Sequence, residues 1–344
     1  MAKKERTDPV EEAADGSMDL YDVATWDERT SLDGLVVALY RVISGSARLL
    51  IIALGLLLLV GIGGISILSE PGIAVLTLLS AVPALALAAY VYRSDVASGE
   101  PLYILVATFL LGVLTANFAA VINGYTQQYF AALGFVGTVL SYYLVVGPVE
   151  ETVKLLAVRL YAFGDETFDS VLDGAVYGAM AGLGFAFIEN ALYISRAVDV
   201  ATLDLGLGLI GAGGDIAFTR ALAGPGHVIY SAFAGYYLGL AKFNPDDRGP
   251  IVLKGLLIAT LIHATYNTTV GIGAYAIQTA LGLVGIPTFG GLLAYLGYVV
   301  VYQGLFGLLL VRKIRNYRRA YHRARDSADQ QERATRSEMT EFDG

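Results

Sequence analysis

Cysteine is absent from the 344 residues of the chain, and charged residues are scarce. The lack of cysteine excludes disulfides, cysteine-ligated zinc, iron–sulfur clusters and thiol nucleophiles. Charged residues make up only 16% of the sequence and hydrophobic residues 56%, whereas soluble proteins carry roughly a quarter charged residues. The net charge of −8 argues against nucleic acid as a partner. This composition indicates a protein whose main partner is the lipid bilayer.

Eight apolar runs are long enough to cross a bilayer as helices, which takes about 20 residues each. Only helices and closed barrels satisfy their backbone groups in lipid, and runs without two-residue alternation predict helices. We therefore predict an all-α polytopic membrane protein of about eight transmembrane helices, with a polar site within helices four to seven. In chain order, the runs are residues 47–68, 72–92, 102–122, 134–160, 171–194, 221–241, 256–276 and 292–311.

The two ends of the chain differ from its middle. Residues 1–40 are predicted to be an acidic, largely disordered tail, and residues 312–344 a basic and then mixed-charge tail. Residues 41–311 form the predicted transmembrane domain, with the motif core at 134–271. Lys and Arg cluster in the C-terminal segment and on one set of loops, which predicts a multi-pass protein of the cell membrane with both termini in the cytoplasm. Arg220, before helix six, departs from this pattern and is interpreted as an interfacial anchor.

Ionisable side chains are costly inside a membrane span unless they pair or face a cavity. Here they are concentrated in helices four to seven, and the apolar interiors of helices one to three have none. Structural packing alone gives no reason for this concentration, so we expect one shared polar site. Its members are Glu150, Glu151 and Lys154 in helix four, Glu189 and Asn190 in helix five, His227 in helix six, and His263 and Asn267 in helix seven.

The spacing of the helix-four residues predicts two different roles for two glutamates. Glu150 and Glu151 both lie within one turn of Lys154, so each can reach it. Because adjacent residues diverge by about 100° around a helix, the two carboxylates cannot aim equally well at one atom. One is expected to be the working carboxylate and the other a structural partner of Lys154, and the sequence leaves open which. Pro148, just before them, donates no hydrogen bond and weakens the helix.

This set of residues can support hydrolysis of a peptide bond by two routes. In the first, a Glu acts as general base on water, while His donates protons and the Asn267 amide stabilises the oxyanion. In the second, a divalent metal such as zinc is held by His and Glu. The expected ligands are then His227, His263, Glu151 and Glu189. No dedicated metal-binding spacing is present, which favours a water-activating Glu without an obligatory metal.

Four motifs in order resemble the PrsW family of intramembrane proteases, which is distantly similar to CAAX prenyl proteases and bacteriocin-processing membrane proteases. The resemblance covers about Gly134 to Gly271. The motifs are EExxK (Glu150, Glu151, Lys154), FxxxEN (Phe185, Glu189, Asn190), H-x7-G (His227, Gly235) and HxxxN (His263, Asn267).

The resemblance implies an intramembrane protease, of glutamic or metal-dependent type, that performs site-1-type cleavage of a single-span or lipid-anchored membrane protein. It implies that Glu150 or Glu151 activates water and that Asn267 is the oxyanion donor. Glu189, where the CAAX enzymes have a His, would join His227 and His263 in the site. The supporting residues would be Lys154, Asn190 and Phe185.

Two non-catalytic hypotheses also account for the polar cluster. Intramembrane carboxylates and histidines also mark ion paths, so a transporter or ion-binding protein is one alternative. Transporters often contain two related halves, and none is visible here. The other alternative is a pseudoprotease that binds membrane partners without cutting them. The sequence predicts no particular oligomeric state.

Overall fold

A computed structural model describes residues 19–96, 99–199, 207–287 and 291–342 of the chain. Within these residues the protein is helical, and the only β-bridge is an isolated one between Tyr21 and Thr25. The helices are α1 (Ser31–Gly61), α2 (Gly64–Ser69), α3 (Pro71–Tyr92), α4 (Leu102–Ala131), α5 (Gly134–Ser141), α6 (Gly147–Leu160), α7 (Val171–Ala197), α8 (Leu207–Lys242), α9 (Arg248–Leu283) and α10 (Leu292–Phe342). A π-helical turn, Tyr142–Val146, joins α5 to α6.

Six of these helices are long and apolar enough to cross a membrane by length and composition. They are α1, α3, α4, α7, α9 and α10, and they confirm the prediction of an all-α polytopic membrane protein. The fourth and sixth apolar runs are helical as well. The fourth is divided among α5, the π-helical turn and α6, and the sixth lies within α8.

The first and third predicted spans differ from the helices that contain them. The first run was expected to be one helix to residue 68, but α1 ends at Gly61. Gly63 then adopts a left-handed conformation with φ of 75°, which stops the helix before α2 begins. The third run was expected to end at residue 122, but α4 continues to Ala131. This extension places Asn123 on a helix instead of in a loop.

The chain divides into two compact units, with the boundary between Leu54 and Gly55. In the first unit, the side chain of Arg29 forms ion pairs with Asp19 at 2.5 Å and Asp27 at 2.7 Å. Residues 1–18 of the predicted acidic tail lie outside the described residues, so their disorder stays a prediction. Residues 31–40 are helical. The polar residues of helices four to seven all belong to the second unit.

Small residues on α7 let its backbone approach α8 closely. A Cβ atom added to Gly174 would lie 2.2 Å from the carbonyl oxygen of Gly235, and one added to Gly178 would lie 2.3 Å from that of Ser231. One turn further, a Cβ on Gly182 would lie 2.4 Å from the carbonyl oxygen of His227. Such small-residue stripes allow helices to pack tightly in lipid. The contact fixes the spacing between the helices that carry Glu189 and His227.

Candidate active site

The two glutamates of α6 follow directly after the π-helical turn. Pro148 has no N–H to donate to the carbonyl of Leu144, and its ring crowds that carbonyl. The N–H of Gly147 instead bonds to the carbonyl of Tyr142, five residues earlier. Single π-helical turns of this kind are frequent at functional sites. The π-helical turn therefore affects the direction in which the Glu150 side chain points from α6.

Glu151 is fully buried, and one of its two oxygens contacts both Lys154 and His263. Its Oε1 accepts a hydrogen bond from Lys154 Nζ at 2.7 Å and contacts His263 Nδ1 at 2.8 Å. Lys154 Nζ also lies 3.1 Å from His227 Nδ1 and 4.2 Å from the centre of the Phe185 ring. Because the carboxylate can only accept, it orients His263 with a proton on Nδ1 and a lone pair on Nε2. Glu151 thus positions the imidazole.

Glu150 is buried as well but, unlike Glu151, lies on the wall of a pocket. Its Oε1 accepts a hydrogen bond from Asn123 Nδ2 at 3.1 Å. Its Oε2 is buried and has no hydrogen-bond partner among the described residues. That atom lies 3.8 Å from Lys154 Nζ and 3.7 Å from His263 Nε2. Of the two carboxylates that the sequence could not tell apart, the arrangement favours Glu150 as the working one.

Glu189 belongs to a largely buried network that meets the Glu151 network at His227. Its Oε2 accepts hydrogen bonds from His227 Nε2, at 2.9 Å, and from the Arg220 guanidinium. Arg220 Nε donates to Asn190 Oδ1 at 2.8 Å, and Asn190 Nδ2 donates to Ser80 Oγ at 2.9 Å. Asn190 therefore orients the Arg220 guanidinium towards Glu189. With a hydrogen bond from Lys154 at Nδ1, His227 carries its proton on Nε2 and donates it to Glu189.

The interpretation of Arg220 as an interfacial anchor is wrong. Its side chain is only 12% exposed and is paired with Glu189 inside the protein. The pair compensates the guanidinium charge, which would be costly to bury alone. A sequence signal for this location exists. Arg220 precedes His227 by seven residues, and that spacing puts both side chains on one face of α8.

The polar motif residues of four helices line a single pocket with a volume of about 570 Å³. The site residues on its wall are Glu150 of α6, Glu189 of α7, Arg220 and His227 of α8, and His263 and Asn267 of α9. The centroids of the two imidazole rings are 5.3 Å apart. Four other motif residues do not line the pocket and instead contact the residues that do: Glu151, Lys154, Phe185 and Asn190. The structure therefore brings together residues from all four motifs.

The chemistry of the site fits a divalent metal ion. Glu150, His227 and His263 each offer one ligand atom, and the three atoms lie within 4.8 Å of one another. Two imidazoles and a carboxylate form a zinc-type ligand set. Among the described residues, the Lys and Arg side chains that pair with the carboxylates of Glu150, Glu151 and Glu189 are Lys154 and Arg220. The metal ligands expected from the sequence stay a prediction, and this geometry favours Glu150 over Glu151, which is held by Lys154 and His263.

Comparisons with known proteins agree with this site. The model of the family described as PrsW family intramembrane metalloprotease matches residues 100–302. The chain is 32% identical to Protease PrsW of Bacillus subtilis (strain 168) over 54% of its own length and 78% of that protein. It is also 32% identical to Protease PrsW of Geobacillus kaustophilus (strain HTA426), over 54% of its length and 75% of that protein. No solved structure matches the chain with significance.

A lipid-embedded helical fold with this polar pocket and this family match defines a membrane-bound protease. The chain belongs to the PrsW family of intramembrane proteases.

Proposed function

We propose that this protein hydrolyses a peptide bond of a membrane-embedded or membrane-anchored protein in the pocket that holds the motif residues of α6 to α9. The observation that carries the proposal is the convergence of Glu150, Glu189, His227, His263 and Asn267, from four different helices, on one cavity. Positioning of this kind makes catalytic groups effective, because substrate and water meet them in a fixed geometry.

In this proposal Glu150 takes a proton from the attacking water and returns it to the amine nitrogen when the C–N bond breaks. The gap of 3.7 Å between Glu150 Oε2 and His263 Nε2 is too long for a direct hydrogen bond and suits one bridging water. That water would donate one hydrogen to the carboxylate and the other to the imidazole lone pair. Glu151 holds the imidazole in the tautomer that this requires.

Asn267 and His227 act on the substrate side of the same reaction. Asn267 lies one turn after His263 and on the pocket wall, so its amide can donate to the oxyanion of the tetrahedral intermediate. His227 is held between Lys154 and Glu189. These two contacts fix the orientation of the His227 imidazole on the pocket wall.

In the alternative, metal-dependent route, Glu150, His227 and His263 would hold a divalent metal such as zinc in place of the bridging water, and His227 would offer the ion a nitrogen that here contacts Lys154 or Glu189. When bound, such an ion polarises a carbonyl and lowers the pKa of a ligated water. Zinc dependence is measured independently of the Glu150 variants, by elemental analysis of active protein and by adding chelator.

The pocket lies towards one end of the helices, which supports a direction for cleavage. It is lined by the last residues of α4, the middle of α8 and the first turn of α10. The basic residues Arg93, Arg159 and Lys242 lie at the opposite ends of their helices. With positive residues on the cytoplasmic side, both termini are cytoplasmic in the cell membrane. The pocket then acts on substrate near the outer surface, as site-1-type regulated proteolysis requires.

The decisive experiment uses purified protein in liposomes together with a quenched fluorescent single-span substrate. We expect the wild-type protein to cleave it and the Glu150→Gln variant to lose at least about a hundredfold in rate. Glu166→Gln, an exposed loop carboxylate, is the matched control and should cleave at the wild-type rate. Absence of cleavage by the wild-type protein, or full activity of Glu150→Gln, would overturn the proposal. Substrate flux without cleavage would instead identify a transporter.

A further inference from the structure

The extension of α4 beyond the predicted span carries a polar face into the pocket. Asn123, Thr126, Gln127 and Phe130 follow the spacing of one helix face and all line the cavity. Asn123 is the member of this face that contacts Glu150. None of the four motifs includes it, and it comes directly after the third predicted span, residues 102–122.

The hydrogen bond from Asn123 makes the two oxygens of Glu150 unequal. A carboxylate offers only acceptors, so the amide nitrogen must face it, in agreement with the bond of 3.1 Å from Asn123 Nδ2 to Glu150 Oε1. With Oε1 held, the plane of the carboxylate is fixed. Oε2 is then the atom that faces His263 Nε2 across the gap of 3.7 Å.

A competing partner stands on the other side of Glu150. The Lys154 ammonium lies 3.8 Å from Oε2, and its attraction is strong in a site shielded from water. Without the bond from Asn123, the Glu150 side chain is free to turn and pair directly with Lys154. Such a pair would take the carboxylate away from the position between His263 and the pocket.

The oxygen of the Asn123 amide is unusual because no described residue donates a hydrogen bond to it. Asn123 Oδ1 is buried and has no hydrogen-bond partner among the described residues. Buried amide oxygens are almost always satisfied, and this one belongs to a residue on the pocket wall. A water hydrogen or a substrate N–H would complete it.

We propose that Asn123 is a positioning residue that orients the Glu150 carboxylate towards the attacking water. The inference rests on the proposed hydrolysis, and it assigns to α4 a role in a site whose motif residues all lie on α6 to α9. It predicts that changes at Asn123 slow the chemical step and leave substrate binding intact.

Asn123→Asp and Asn123→Ala test the proposal in the liposome assay. Asn123→Asp keeps the shape and removes the donor, and we expect kcat to fall at least about tenfold with KM within about twofold of wild type. Asn123→Ala leaves room for a water to replace the donor, so its kcat should fall less. Gln128→Glu makes the same amide-to-carboxylate change on an exposed residue of α4 and should keep both constants.

The outcomes separate this inference from the proposed function. Loss of kcat at Asn123 with an unchanged melting temperature and an unchanged KM supports it. Near wild-type kcat in both variants, beside an active wild-type protein and an inactive Glu150→Gln, would overturn it and leave the proposed function standing. A parallel fall of kcat, substrate affinity and melting temperature would show a merely structural role and would also overturn it. An inactive wild-type protein would instead reject the proposed function.

Discussion

Removal of the Arg220 side chain tests whether the buried pair with Glu189 holds the site together. In Arg220→Met the apolar length of the side chain is retained and the guanidinium is lost. Glu189 then keeps His227 as a donor but loses its cation, and Asn190 Oδ1 loses the hydrogen bond from Arg220 Nε. A buried carboxylate without a cation is the main cost of this change.

The size of the effect follows from the burial of the pair. Removal of one partner of a buried ion pair costs about 3–5 kcal/mol. The side chains of Arg220 and Glu189 are 12% and 20% exposed, so partial screening by water reduces the expected loss to about 2–4 kcal/mol. The double variant Arg220→Met/Glu189→Gln has no unpaired charge. Its free energy of unfolding should recover by about half, and the lost bond to Asn190 accounts for the remainder.

Thermal unfolding in detergent, followed by far-UV circular dichroism, measures these differences. Arg323→Met, which removes an exposed Arg from α10, is the control and should change the free energy of unfolding by less than about 0.5 kcal/mol. If Arg220→Met is as stable as wild type, or if the double variant is less stable than Arg220→Met, the ion pair of Arg220 and Glu189 does not stabilise the folded state as predicted.

Three further predictions concern packing, pH and metal binding. Gly178→Ala should cost at least about 2 kcal/mol and abolish cleavage, because the new Cβ would lie 2.3 Å from the carbonyl oxygen of Ser231. Gly304→Ala, with no atom within 4 Å, should leave stability unchanged in the same melt, and equal melting temperatures for the two variants would contradict this account. Burial, opposed by the hydrogen bond from Tyr177, raises the pKa of Glu100, between α3 and α4, from 4.5 to about 8. The folded state then binds the extra proton, so stability should fall as pH rises from about 4.5 to 8, by up to about 1.4 kcal/mol per pH unit, and Glu100→Gln should flatten that slope; an unchanged slope would contradict the assignment. Zinc should raise the melting temperature of the wild-type protein and not that of His263→Ala, and equal shifts would place the metal elsewhere.

Hydropathy was sufficient to predict the helical membrane class, because an unbroken apolar run has only one way to satisfy its backbone in lipid. It could not locate the helix ends. The α4 helix continues to Ala131 through Asn123, Thr126 and Gln127. These residues are polar, so hydropathy predicts that the span ends before them. Their backbone is helical because their side chains face a pocket instead of lipid, and that cavity exists only after other helices have assembled.

The sequence by itself determined that this is a helical membrane protein and that helices four to seven carry the polar groups, since the cost of a charge in lipid is visible in one chain. Spacing along α6 also predicted that one glutamate would pair with Lys154. Only the tertiary structure decided that this partner is Glu151, that Glu150 faces the pocket, and that Arg220 and Asn123 join the site. Those assignments depend on distances between different helices, and no periodicity within a single helix encodes them.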